Sequence, residues 1–117
     1  MIIRIKNLRL RTIIGINEWE REHFQDITLN VKIEFDGSRV VESDDIKDTV
    51  DYKALKKRII QEVEQSQFSL VEKLAGHILQ IIMEDEKVIF AEVEVDKPHA
   101  LRFADSVSLT CSSRREK

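Results

Sequence analysis

From Asp26 to Phe35 the chain alternates without a fault: Ile27, Leu29, Val31, Ile33 and Phe35 are apolar, while Asp26, Thr28, Asn30, Lys32 and Glu34 are polar. Successive side chains of a strand point to opposite faces, so this run predicts a long strand with a single apolar face. Its apolar face needs a cover, and its polar face can stay wet. The turn-forming residues Asp36-Gly37-Ser38 end it.

The partners follow from the same pattern. Ile3 and Ile5 alternate with Arg4 and Lys6, then Leu8 and Leu10 alternate with Arg9 and Arg11. The apolar phase passes from odd to even positions at Asn7, which predicts a β-bulge or a break there. A third strand runs through Ile89, Ala91, Val93 and Val95, and a fourth through Val107, Leu109 and Cys111. Two helices lie between the strand pairs. Asp51 is the candidate N-cap of the first, in which Leu55, Ile59 and Val63 recur at helical spacing through Glu64. The second begins at Ser69, where Ser69-Leu70-Val71-Glu72 reads as a capping box. Leu70, Val71, Leu74, Ala75, Ile78, Leu79 and Ile82 form its apolar face. The order ββααββ predicts an α+β fold, an antiparallel sheet with two helices on one face.

Such a sheet leaves two long unpaired edges, and edges invite another chain unless charge blunts them. Arg9, Arg11, Lys32, Glu34, Glu92 and Glu94 keep the second face polar. The expected solution is a homo-oligomeric β-barrel, closed edge to edge around a polar interior. A chain of 117 residues fits one domain, 1–117, with a polar tail over 112–117. Its net charge of −3 argues against a general nucleic-acid binder. No apolar run approaches the ~20 residues of a membrane span, and no signal-peptide core opens the chain. With Cys111 as the single cysteine, no internal disulfide forms, which suits the cytoplasm. His23, His77 and His99 stand apart with no CxxC, so no metal site is expected.

Chemistry concentrates between Val95 and Asp105. Lys97 ends an alternating run and precedes Pro98, the only proline, which restrains its direction; His99 and Arg102 follow. Lys97 reads either as a solvated hairpin lysine or as a proton shuttle. For the second role, lowering an amine from roughly 10.4 to ~7–8 costs about 4 kcal/mol, which burial and neighbouring cations can supply.

These stretches also carry a resemblance. Ile3-Arg4-Ile5-Lys6-Asn7-Leu8-Arg9-Leu10-Arg11-Thr12, Ile14-Gly15-Ile16 with Glu20 and Gln25-Asp26, Tyr52, Phe68-Ser69-Leu70-Val71-Glu72-Lys73-Leu74, and Ala91 to Lys97 leading into His99-Ala100-Leu101-Arg102 resemble the dihydroneopterin aldolase family over nearly the whole chain. The opening strand and the stretch from His99 to Val107 are similar to its epimerase branch. The resemblance implies the tunnelling fold (T-fold), with four subunits forming a barrel and two rings stacking as an octamer. It implies a pterin substrate held between neighbouring subunits, with no cofactor and no metal. Glu72, with Val71 beside it, takes the position of the pterin anchor; the competing reading is the helix cap. Lys97, Glu20 and Tyr52 take the positions associated with proton transfer: Lys97 as principal acid/base, Tyr52 as a relay or orienting hydroxyl, Glu20 as a charge partner or a holder of water. His99 and Arg102 are the first candidates for a substrate triphosphate, and Arg9, Arg11 and Arg21 the next. The implied activity is inversion at C2′ of 7,8-dihydroneopterin triphosphate by retro-aldol and aldol steps. Aldolase release of the hydroxymethyl pterin, or a non-catalytic pterin-binding ring, are the alternatives.

Overall fold

The structure, a computed structural model, describes residues 1–116. In chain order the elements are β1 (Ile2–Thr12), α1 (Glu18–Glu22), β2 (Gln25–Phe35), α2 (Ser38–Ser43), a 3₁₀ turn (Ile46–Asp48), α3 (Tyr52–Gln65), α4 (Val71–Met83), β3 (Val88–Pro98) and β4 (Ser106–Arg114). The strands form one antiparallel sheet in the order β1-β2-β3-β4. The perfectly alternating strand, β2, sits inside it, between β1 and β3.

Asn7 marks a bulge. Ile5 faces Val31 and Leu8 faces Leu29, so Lys6 and Asn7 together oppose Asn30. Asn7 has a φ of 54°, a left-handed conformation that asparagine tolerates, and its N–H donates to Asn30 Oδ1 at 2.9 Å. The extra residue returns Leu8 and Leu10 to the face that carries Ile3 and Ile5. A second register shift separates Glu34↔Phe90 from Phe35↔Val88. It corrects the expected third strand, because the slip turns Ile89 outward (36% exposed) and buries Val88 completely.

Both long helices cover one face of the sheet. Ile59 and Val63 of α3, and Leu74, Ala75, Ile78, Ile81 and Ile82 of α4, close over Ile27, Leu29, Val31, Ile33, Ala91, Val93 and Val95. Each fully buried aliphatic chain contributes about 1.5–3 kcal/mol relative to an exposed one. Asp51 caps α3, accepting from the Ala54 N–H at 3.1 Å. The expected capping box at Ser69 is not formed. Leu70 is the N-cap of α4 in an extended conformation, and no side chain caps this helix. Glu72 is therefore its second residue, one short of the position that reaches back to an N-cap amide. The short segments α1, α2 and the 3₁₀ turn lack a repeating apolar face, so periodicity does not reveal them.

The polar tail is also corrected. β4 pairs with β3 as far as Arg114 opposite Phe90, so residues 112–114 are strand; Lys117 lies outside the described residues. Backbone pairing on an edge strand needs no apolar side chain, which is why Ser112-Ser113 reads as tail. Beyond the strand, the Arg115 guanidinium closes the α4–β3 turn, donating to the carbonyls of Met83 (2.6 Å), Val88 (2.9 Å) and Asp85 (3.2 Å).

Candidate active site

Lys97, at the end of β3, points to the helix-covered face and meets α1. Its Nζ donates to Glu20 Oε2 at 2.5 Å, with both side chains largely buried, 12% and 13% exposed. Glu20 is held from three further directions. Its carboxylate accepts from the Asn17 N–H at 3.2 Å and from Gln25 Nε2 at 3.3 Å, and Gln25 Nε2 also donates to the Ile14 carbonyl at 2.6 Å. On the fourth side lies Gly15, where an added Cβ would sit 2.2 Å from the Glu20 carboxyl carbon. Gly15 also has a φ of 129°, a conformation that residues with side chains rarely adopt. Burial pushes the Glu20 carboxyl up, but the hydrogen bonds from Lys97, Asn17 and Gln25 and the lysine's charge outweigh it. The group is held below its ordinary value of 4.5.

The loop from α3 to α4 is tied to this turn. Thr12, a fully buried polar residue, donates from Oγ1 to the Val63 carbonyl at 2.7 Å, where α3 ends. Gly15 N–H donates to the Phe68 carbonyl at 3.3 Å. Arg21 donates from Nη1 to the carbonyls of Gly15 (3.2 Å) and Phe68 (3.1 Å), and from Nη2 to that of Gln67 (2.6 Å). The loop delivers Val71 and Glu72 in the first turn of α4, with Glu72 exposed. Lys97, Glu20, Val71 and Glu72 therefore belong to one end of the subunit.

Tyr52 does not. It opens α3, 53% exposed, while Val63 near the other end of that helix meets Thr12. The eleven intervening steps at about 1.5 Å each put some 16 Å between the two helix ends.

Of the candidates for phosphate, His99 has a φ of 62° and lines a cavity of about 270 Å³ with Arg11, Trp19, Phe24, Gln25 and Pro98. The Trp19 ring stacks on His23, centroids 4.6 Å apart. Arg102 is exposed in the loop from β3 to β4. Arg11 is paired with Asp26 at 3.2 Å, and Arg9 lines a groove of about 760 Å³ with Arg11 and Pro98. Arg21 is a correction: its guanidinium is engaged by three carbonyls, so it is a latch and not a free phosphate ligand. The roles of Asn17 and Thr12 were missed from sequence. The Asn17–Glu20 spacing, a polar N-cap with a glutamate three residues on, carries the signal for the first. Nothing local marks Thr12.

An antiparallel four-stranded sheet carrying two helices on one face is the subunit of the tunnelling fold. The model of the dihydroneopterin aldolase family matches residues 3–112, and the chain belongs to that family. It is 54% identical over 114 residues to the dihydroneopterin triphosphate 2′-epimerase of Escherichia coli K12, covering 97% of this chain and 95% of that protein. It is 48% identical over 113 residues to the protein of the same name from Pseudomonas aeruginosa, covering 97% and 92%. The crystal structure of Escherichia coli dihydroneopterin aldolase in complex with neopterin superposes with a TM-score of 0.90 at 24% identity, covering 97% of this chain and 98% of that one.

Proposed function

We propose that this protein inverts C2′ of 7,8-dihydroneopterin triphosphate, giving dihydromonapterin triphosphate, without a cofactor and in the cytoplasm. The identity of about half to two proteins named as 2′-epimerases supports this reading over the aldolase one. The observation that carries the chemistry is the largely buried Lys97–Glu20 pair. No helix among the described residues is long and apolar enough to cross a membrane.

In the retro-aldol step the C2′ hydroxyl loses its proton and the C1′–C2′ bond breaks. The bond's electrons pass into the dihydropterin ring imine, whose nitrogen takes up a proton. An enol on the pterin and an aldehyde on the phosphate-bearing fragment result. The Lys97 ammonium, held in place by Glu20, protonates the ring as the bond breaks. The amine takes that proton back as the bond re-forms. The neighbour of Lys97 in the fold is the Glu20 carboxylate rather than His99 or Arg102, which suits this donor role. Tyr52 relays the hydroxyl proton out to solvent water as the bond breaks and returns one from solvent to the new alkoxide as the bond re-forms. Glu72 accepts from the pterin's amino and N3–H edge, charge-assisted bonds worth about 1.5–3 kcal/mol each. Val71 lies beside the ring. His99 and Arg102 hold the phosphates, so the aldehyde turns over and re-adds on its other face before it escapes.

Since Tyr52 sits at the far end of its own subunit, the site takes Tyr52 from a neighbour. The sheet's edges support a ring. Pairing β1 with β1 would bring the arginines and Lys6 of two copies together, whereas β4 offers Ser106, Ser108, Thr110 and Ser112 on the same face, with Arg114 its one cation. A head-to-tail contact of unlike edges closes into a ring, here a homotetramer that stacks as an octamer. Incubation with dihydroneopterin and with its triphosphate, followed by separation of diastereomers and hydroxymethyl product, tests the reading. Inverted triphosphate is the expected main product. Release of hydroxymethyldihydropterin from the unphosphorylated compound as the main reaction would establish the aldolase instead. Pterin binding without product would leave a binding ring.

A further inference from the structure

Arg21 stands one residue after Glu20 but takes no part in the Lys97 pair. Its guanidinium bridges two segments that are far apart in sequence: the Gly15 turn, against which the Glu20 carboxylate packs, and the Gln67–Phe68 stretch that leads into α4. The Phe68 carbonyl accepts from both Arg21 and the Gly15 N–H, so one oxygen joins the two segments twice. The Phe68 ring in turn lies against His77 of α4, centroids 5.5 Å apart. On one side of this latch is the proton-transferring pair, and on the other is Glu72, the second residue of α4.

We infer that Arg21 is a positioning residue, setting the distance between the Glu20–Lys97 pair and the Glu72 anchor by clamping the Gly15 turn to the α3–α4 loop. The inference rests on the roles given above to those three residues. A planar fork with five donors suits the task, because it meets three carbonyls in one fixed arrangement; a lysine ammonium on a flexible stem holds them less rigidly. Glu72 holds the pterin and Lys97 serves its ring, so any change in their separation misplaces the reacting atoms without removing a contact to the substrate. A misplacement of about 1 Å costs on the order of 10²-fold in rate. The signature of such a role is a loss in kcat with little change in pterin affinity.

The test uses the assembled wild-type protein and the variants Arg21→Ala and Arg21→Lys. Functional sites are counted by neopterin titration, and turnover of dihydroneopterin triphosphate is measured per site. Arg21→Ala is expected to lower kcat per site by roughly 10- to 100-fold, with KM and neopterin affinity within about threefold of wild type. Arg21→Lys should fall between, and added methylguanidinium should restore part of the Arg21→Ala rate in a saturable way. A merely structural role predicts fewer sites or a lower melting temperature, with kcat per remaining site within about twofold of wild type, and that result overturns the inference. So does a loss confined to neopterin affinity. If Arg21→Ala does not fold, Arg21→Lys decides by the same per-site comparison. A wild type that binds neopterin but turns over neither substrate overturns the reading of the site and this inference with it; an active wild type with unaffected variants overturns the inference alone.

Discussion

Gly15 shows how little matter separates a working site from a blocked one. A methyl group there would overlap the Glu20 carboxyl carbon at 2.2 Å, and the φ of 129° would be strained besides. Gly15→Ala should therefore cost about 1–3 kcal/mol in a denaturant titration and displace Glu20 from Lys97. A stability unchanged within error would show that the turn has room the structure does not indicate. Glu20 itself sets a pH dependence with a definite sign. Its carboxyl is held below its ordinary 4.5, so the stability it contributes is present at neutral pH and is lost as acid carries the solution down through the folded-state value. Denaturation of the wild type and of Glu20→Gln should differ at pH 7, with the wild type more stable, and the gap should close on acidification below 4.5. A gap that widens in acid would contradict the assigned pairing.

Among the elements, the two long helices begin in different ways although their sequences suggest the same one. Asp51 accepts from Ala54 and closes α3, whereas α4 starts from Leu70 with no side-chain cap. Asp51→Ala should accordingly cost about 1 kcal/mol, while Ser69→Ala should be close to neutral. Equal losses in the two variants, measured by thermal melts, would restore the capping box at Ser69 and return Glu72 to a structural role. An uncapped start has a consequence for chemistry: Glu72 stays exposed in a helix's first turn, open to a ligand.

At the scale of the molecule, the sheet ends in two open edges and the groups proposed for proton transfer are split between the subunit's two ends. Lys97 and Glu20 lie with the start of α4, and Tyr52 with the start of α3. The proposed ring brings them together across each junction. Lys97→Ala and Tyr52→Phe should each be nearly inactive as pure assemblies. When the two are denatured and reassembled together at equal amounts, about a quarter of the heterologous junctions should combine an intact Lys97 with an intact Tyr52. Recovery of activity toward that fraction of wild type is expected. Mixed assemblies as inactive as their parents would place both residues of a site in one subunit, or Tyr52 outside the site.

The strands, both long helices and the bulge at Asn7 were legible in the sequence because each is a local pattern. Periods of two and 3.6 record which side chains leave water, and a phase change within a few residues records a bulge. The errors also have local causes. Ile89 was assigned inward because the second register shift lies in the pairing with β2, and Ser112-Ser113 looked like a tail because an edge strand is held by its backbone. The resemblance proposes residues for the site, but the sequence carries no record of their arrangement. Lys97 and Glu20 are 77 positions apart, and Arg21 and Phe68 are 47 apart. Whether a carboxylate or another cation stands beside the lysine, and whether Arg21 is free or latched, depends on which distant segments the closed core brings within 3 Å. Hydrophobic patterning is written residue by residue along the chain. Ion pairs and carbonyl latches exist only after that pattern has collapsed into one sheet and its cover.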